Sequence, residues 1–295
     1  MGAQDNHLVA VNAATGKEAW NVMVEENSVC RCGITSAPLF VRGKVITGVA
    51  GGSRGYLRAF DSSTGKLVWN FDVIPSPDQP GGDSWPPGAY KTGGGTTWLT
   101  GTYDPDLNLI YWGSSDPSPE EPEKRPGLNL YSGSLLALDA ESGKLRWYSQ
   151  ETPHDENAFD ASMEPVLIDV EKARQKQKLA VHPTKGGFSY VYDRQTGTLL
   201  NTFPFTSVSW TKGLDADGKP LDLIDRDDKK DFLLCPGDDR GRGSNHSAYS
   251  PRTGWWYSTD MENCAKVTNG KPQVIINPVN PPNIAAFDPL TGKKE

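Results

Sequence analysis

Two acids stand close together in the stretch TPHDENAFDASMEP, Asp155 and Asp160. A carboxylate in such a loop either takes a proton as a general base or accepts hydrogen bonds from loop amides. Trp98 follows three consecutive glycines in GGGTTW; its flat ring suits either stacking or ordinary packing. Lys185 sits in the Gly-rich turn of HPTKGGFSYVYDR. A cation there is either a surface lysine or a group that stabilises developing negative charge. The four cysteines are Cys30, Cys32, Cys235 and Cys264. The first two form CxC in VCRCG with no histidine following, so a c-type haem is not indicated. Four cysteines allow three complete pairings, and reduced thiols are equally compatible with the spacing.

The elements that position these residues follow from an internal repeat. It occurs five times: VAVNAATGKEAW (9–20), LRAFDSSTGKLVW (57–69), LLALDAESGKLRW (135–147), SYVYDRQTGTLL (189–200) and IAAFDPLTGKKE (284–295). Each copy reads as a β-hairpin. An alternating apolar strand arrives at Asp or Asn, and a Ser/Thr-Gly turn follows, where Gly takes φ > 0. A second strand then leaves toward Trp20, Trp69 or Trp147 in the first three copies, each tryptophan expected to pack between neighbouring sheets. The turn glycines, Gly16, Gly65, Gly143, Gly197 and Gly292, are spaced by 49, 78, 54 and 95 residues. A spacing near 50 suits a four-stranded blade, and the longer gaps hold further hairpins: YDPDLNLIYWGSSD (103–116) and the degenerate copy YSPRTGWWYSTD (249–260). APLFVRGKVITGVAG (37–51) adds a strand pair turning at Arg42-Gly43. The charged stretch 169–178 predicts a solvated hairpin tip or a short helix. Radially arranged four-stranded sheets make a β-propeller, so the fold class is all-β.

The composition agrees: 31 Gly and 23 Pro among 295 residues favour a turn-rich chain. The net charge is −7 and no basic patch argues for nucleic acid. No apolar run is long enough for a transmembrane helix. The N-terminal stretch carries no charged or apolar signal region and enters a strand pattern at once.

The repeat with its Asp, Thr-Gly-Lys and Trp resembles the tryptophan-docking motif of the quinoprotein, pyrroloquinoline quinone-dependent alcohol dehydrogenases of the methanol and ethanol dehydrogenase type. Three longer stretches are similar to that family as well: 93–119 to the segment forming the cofactor floor, 152–165 to the segment carrying the catalytic aspartate, and 235–264 to a later cofactor-contacting blade. The resemblance implies an eight-bladed propeller, of which residues 1–295 would form a single partial domain, truncated at both ends, with about four to five blades. Such an incomplete ring leaves blade edges unpaired and predicts poor solubility.

The resemblance also implies oxidation of a primary alcohol or a sugar by hydride transfer to pyrroloquinoline quinone, assisted by Ca²⁺ or a lanthanide. Trp98 matches the floor tryptophan and Thr96 a hydrogen-bond donor to the cofactor. Lys185 falls where the family has a cation over the quinone oxygen, and Asn245 where it has an amide. Asp160, following Phe159, matches the base, with Asp155 left to shape the turn. For the metal, the resemblance implies Asp160 and Asp116, the latter in GSSDP in place of an Asn. No Glu stands in GVAGGSRGY (48–56), where Ser53 is the nearest oxygen. Cys235 and Cys264 match a family disulfide, which with the family implies a periplasmic location. CxC is not equated with the family's vicinal pair. A cytochrome is the implied electron acceptor. The alternatives are a non-catalytic propeller acting as a scaffold or binding module, and an inactive fragment of the enzyme.

Overall fold

The computed structural model describes residues 1–26, 31–172, 175–223, 231–237, 241–268, 271–276 and 283–295. Chain contacts divide these into two compact units, Met1–Glu164 and Pro165–Glu295. The elements are strands, joined in the first unit by short 3-10 turns at Gly82–Ser84, Ala89–Lys91 and Pro122–Lys124.

The repeat turns fold as their residues dictate. In each copy the Asp or Asn side chain accepts backbone N–H groups two and three residues ahead. Asp61 Oδ1, for example, takes Ser63 N at 3.1 Å and Thr64 N at 2.8 Å, and Asp139 Oδ1 takes Glu141 N at 3.1 Å and Ser142 N at 2.9 Å. The turn glycine then donates back to the Asp or Asn carbonyl, as from Gly65 to Asp61 at 2.9 Å. This closure needs a left-handed residue, and Gly16, Gly65, Gly143, Gly197 and Gly292 all have φ between 69° and 76°. Arg42 and Gly43 both have positive φ, the geometry of a two-residue hairpin turn.

Among the described residues, three complete four-stranded antiparallel meanders result. In the first unit these are Leu39–Val41, Lys44–Thr47, Tyr56–Asp61 and Leu67–Asp72, and then Thr102–Asp104, Leu109–Gly113, Ser134–Asp139 and Leu145–Gln150. In the second unit, Val166–Lys172, Gln175–Pro183, Phe188–Asp193 and Leu199–Pro204 form the third. The charged stretch 169–178 therefore lies in two paired strands and the helical alternative falls; its tip, 173–174, is outside the described residues. Smaller sheets include the hairpin His7–Val11 with Glu18–Met23, and a three-stranded sheet of Ala248–Ser250, Trp255–Asp260 and Asn283–Phe287.

Inner strands are buried on both faces: every residue of Leu109–Gly113 is buried, as are the first five of Ser134–Asp139. The outermost strand, Leu145–Gln150, alternates instead. Stacked blades demand this pattern, since an inner strand has a neighbour on either side and an outer strand meets water. Tryptophans fasten one repeat to the next within the first unit. Trp20 Nε1 donates to Ser62 O at 2.9 Å and Trp69 Nε1 to Ala140 O at 3.3 Å, each reaching the following repeat's turn. The fourth repeat lacks this tryptophan. Asn201 stands at that position and supplies the donor instead, to Leu290 O at 3.1 Å, while Phe203 covers Gly292.

Cys235 is joined to Cys264, pinning the end of strand Phe232–Leu234 beside strand Asn263–Thr268. Cys32 is also disulfide-bonded and buried against the Tyr56 hydroxyl; Cys30 lies outside the described residues. No helix among the described residues is long and apolar enough to cross a membrane.

Candidate active site

Two loops of the first unit converge on the strap Gly93–Gly95. Gly94 N donates to Ser53 O at 3.1 Å, Gly55 N to Gly94 O at 2.7 Å, and Gly95 N to Asp116 O at 2.9 Å. The glycines are needed for this closeness. A Cβ on Gly55 would lie 1.8 Å from Gly95 O, and one on Gly94 would lie 2.7 Å from Ser118 N in a backbone with φ +75°. The strap thus holds Thr96 and Trp98 at fixed positions, both half-buried. Thr96 Oγ1 is hydrogen-bonded to Ser115 Oγ at 2.9 Å, and Trp98 O accepts from Thr35 Oγ1 at 3.1 Å. Between them, the Thr97 hydroxyl donates to Tyr56 O at 2.6 Å and accepts from Val49 N at 3.0 Å, locking the strap to the first blade.

Asp116, next to Ser115, meets Asp160: the Asp116 N–H donates to Asp160 Oδ1 at 3.1 Å. Asp160 is 6% exposed. Burial, then the hydrogen bond and charge of Asp160, then the charge of Asp155, push the Asp116 carboxyl up to about 8. Asp155 is buried and serves its own loop. Its Oδ1 accepts Asn157 N at 2.8 Å and its Oδ2 accepts Phe159 N at 2.6 Å. Burial raises the Asp155 carboxyl to about 6; the two amides and Arg125 pull it down, and Asp160 pushes it up.

Sequence reasoning missed Arg125, Asn129 and Ser115. Arg125 is 1% exposed and its charge is opposed by burial, with its pKa held below the ordinary value despite nearby carboxylates. Its partners are mostly main-chain carbonyls, which leave no mark on residue types.

The structure therefore brings Thr96, Asp116 and Asp160 together on adjoining loops, with Trp98 on the same strap as Thr96. Ser53 is at the strap too, through its carbonyl. Lys185 and Asn245 belong to the second unit. Lys185 is half-buried in the turn Thr184–Gly187, and its carbonyl accepts Gly241 N at 2.9 Å. Asn245 is exposed on the loop before strand Ala248–Ser250. Among the described residues no cluster of three or more His, Cys, Asp or Glu is placed to hold a metal.

Known proteins share this architecture. The chain is 37% identical over 241 residues to the quinoprotein alcohol dehydrogenase PedH of Pseudomonas putida, covering 75% of this chain and 40% of that protein. It is 34% identical over 310 residues to a lanthanide-dependent methanol dehydrogenase of Methylacidiphilum fumariolicum, covering 94% of this chain and 51% of that protein. It thus spans about half or less of these relatives' length. Among solved structures, a europium-containing methanol dehydrogenase superposes with a TM-score of 0.88 at 32% identity, over 100% of this chain and 58% of that one. Residues 1–211 match the family described as the PQQ-type glucose/ethanol/alcohol dehydrogenase β-propeller domain, and the chain belongs to that quinoprotein alcohol dehydrogenase family, as part of its propeller.

Proposed function

We propose that residues 1–295 are a single part of a quinoprotein propeller that oxidises a primary alcohol or a sugar, with Asp160 as the proton acceptor. The observation that carries this is the contact of Asp116 with Asp160 on loops beside the Gly93–Gly95 strap. Two carboxylates crowded there, one pushed up to about 8, form a donor set that suits a hard cation, since a cation relieves their repulsion. Asp116 and Asp160 would hold Ca²⁺ or a lanthanide, with neutral oxygens completing the ligands. Thr96 and Trp98 would hold the cofactor's ring. Pyrroloquinoline quinone supplies the hydride acceptor when bound. Asp160 takes the hydroxyl proton of the substrate, and the Asp116 N–H orients its carboxylate for this step. Asp155, spent on two loop amides, keeps the segment in place. A cytochrome acceptor and a periplasmic location belong to the same reading, which the Cys235–Cys264 bond supports.

One feature favours a second reading, a propeller that binds without turnover. The 48–56 loop carries no acid, and Ser53 offers its carbonyl to Gly94. The test is reconstitution with pyrroloquinoline quinone and Ca²⁺ or La³⁺, following retained quinone and dye reduction with alcohols and aldoses. The expected result is retained quinone and turnover that falls at least ~100-fold in Asp160→Asn with quinone still bound. Retained quinone without turnover in the unaltered chain supports the binding module. No retained quinone at any metal concentration ends the enzyme reading, and unchanged turnover in Asp160→Asn moves the base elsewhere.

A further inference from the structure

We propose that Arg125 is a positioning residue that clamps together the two loops carrying Asp116 and Asp160, and so fixes the pair for cation binding. The proposal rests on the reading of that pair as the cation's carboxylates. Arg125 lies in the loop that follows Asp116 and is 1% exposed. Its Nε donates to Pro119 O at 2.7 Å and its Nη2 to Glu120 O at 3.3 Å, both a few residues beyond Asp116. The same Nη2 donates to the carbonyl of Asp155. Asn129 holds the remaining side of the guanidinium: Arg125 Nη1 donates to Asn129 Oδ1 at 2.9 Å, and Asn129 Nδ2 returns a bond to Arg125 O at 2.9 Å.

The clamp reaches Asp160 through Asp155. With its carbonyl held by Arg125, Asp155 presents its carboxylate to the amides of Asn157 and Phe159, which leads the chain directly into Asp160. Asp160 Oδ1 then receives the Asp116 N–H. One guanidinium thus ties both loops, and its fork of donors at fixed angles is what allows it. An ammonium at the end of a flexible stem carries the charge without the geometry. The buried cation also lies close enough to Asp155 and Asp116 to interact with their charge.

The test uses Tb³⁺ alone as probe, read by its tryptophan-sensitised luminescence with the full chain. The unaltered chain binds Tb³⁺, and the double variant Asp116→Asn, Asp160→Asn loses that binding. Arg125→Met and Arg125→Lys both weaken it at least ~10-fold while far-UV circular dichroism stays that of the folded chain. A merely structural role lowers the melting temperature and leaves the affinity of the folded protein unchanged, so affinity within ~2-fold of the parent in either variant overturns the clamp. Full rescue by Lys alone assigns the effect to charge and also overturns it. Absence of Tb³⁺ binding in the unaltered chain, or unchanged binding in the double aspartate variant, refutes the carboxylate reading and the clamp with it. Should both arginine variants fail to fold, hydrogen exchange in the unaltered chain decides. The clamp requires the Asp116, Asn157 and Phe159 amides to exchange at least ~100-fold more slowly than the exposed turn amide of Ala13, and comparable rates overturn it.

Discussion

Asp155 and Asp160 stand five positions apart, and they accept from different partners, Asp155 from amides of its own loop and Asp160 from the Asp116 N–H. Asp155 is occupied by two main-chain N–H groups inside a buried loop. Asp155→Ala leaves both donors without their acceptor, which costs about 2–4 kcal/mol of stability; urea unfolding measures it. The pH dependence has a definite sign. Burial lifts the folded carboxyl to about 6 from the ordinary value of 3.8, so the folded state binds the proton more tightly than the unfolded one. The resulting penalty is fully present above about 6, shrinks as pH falls through that value, and is gone below the ordinary carboxylate value. Metal-free protein is therefore expected to melt higher near pH 5 than near pH 7.5, and the Asp155→Ala variant should lose Asp155's share of that difference. An unaltered slope in the variant rules out Asp155 as its source. The family resemblance assigned the turn to Asp155, but residue type alone left it open, because a capping carboxylate and a reactive one are the same residue type. The partner amides decide, and they are set by how the loop folds. Arg125 was invisible for the same reason: its bonds run chiefly to carbonyls that every residue possesses.

At the scale of elements, the repeat hairpin was legible because its chemistry is local. An Asp or Asn side chain, a Thr or Ser and a left-handed Gly suffice to close it within six residues. Docking between repeats is less local, and Gly16 and Gly143 separate the two contributions. Both have φ near +70°, but a Cβ on Gly16 meets nothing within 4 Å, whereas one on Gly143 would lie 2.5 Å from Trp69 Cε3. Gly16→Ala is expected to cost about 1–2 kcal/mol from backbone strain alone. Gly143→Ala should cost clearly more, because the ring of Trp69 must also move. Equal losses in thermal melts would show that Trp69 does not hold this turn. Trp69→Ala removes the ring and its bond to Ala140, a loss of about 3–5 kcal/mol. The exchange of tryptophan for Asn201 plus Phe203 in the fourth repeat was not legible. Two side chains there divide what one indole does elsewhere, a donor for the next turn and an apolar cover for its glycine.

For the whole molecule, fold class followed from the repeats and the candidate site residues from the family resemblance, whereas the contacts that hold those residues together join segments far apart in sequence. The Gly93–Gly95 strap meets Ser53 on one side and Asp116 on the other, and nothing local in GGGTT announces either partner. The division into Met1–Glu164 and Pro165–Glu295 was equally hidden, because the repeat crosses it without a change in composition. That division carries a prediction. Cys235–Cys264 closes a loop with a sequence separation of 29 inside the second unit. Removing a cross-link of that span costs about 3–4 kcal/mol by the chain-entropy estimate. In the variant Cys235→Ser, Cys264→Ser, hydrogen exchange should quicken in strands Phe232–Leu234 and Asn263–Thr268. The sheet from Thr102 to Gln150, whose inner strands are buried on both faces within the first unit, should keep its protection. Equal loss of protection in both places would mean that the two units open as one cooperative body, so that the bond in the second stabilises the candidate site in the first.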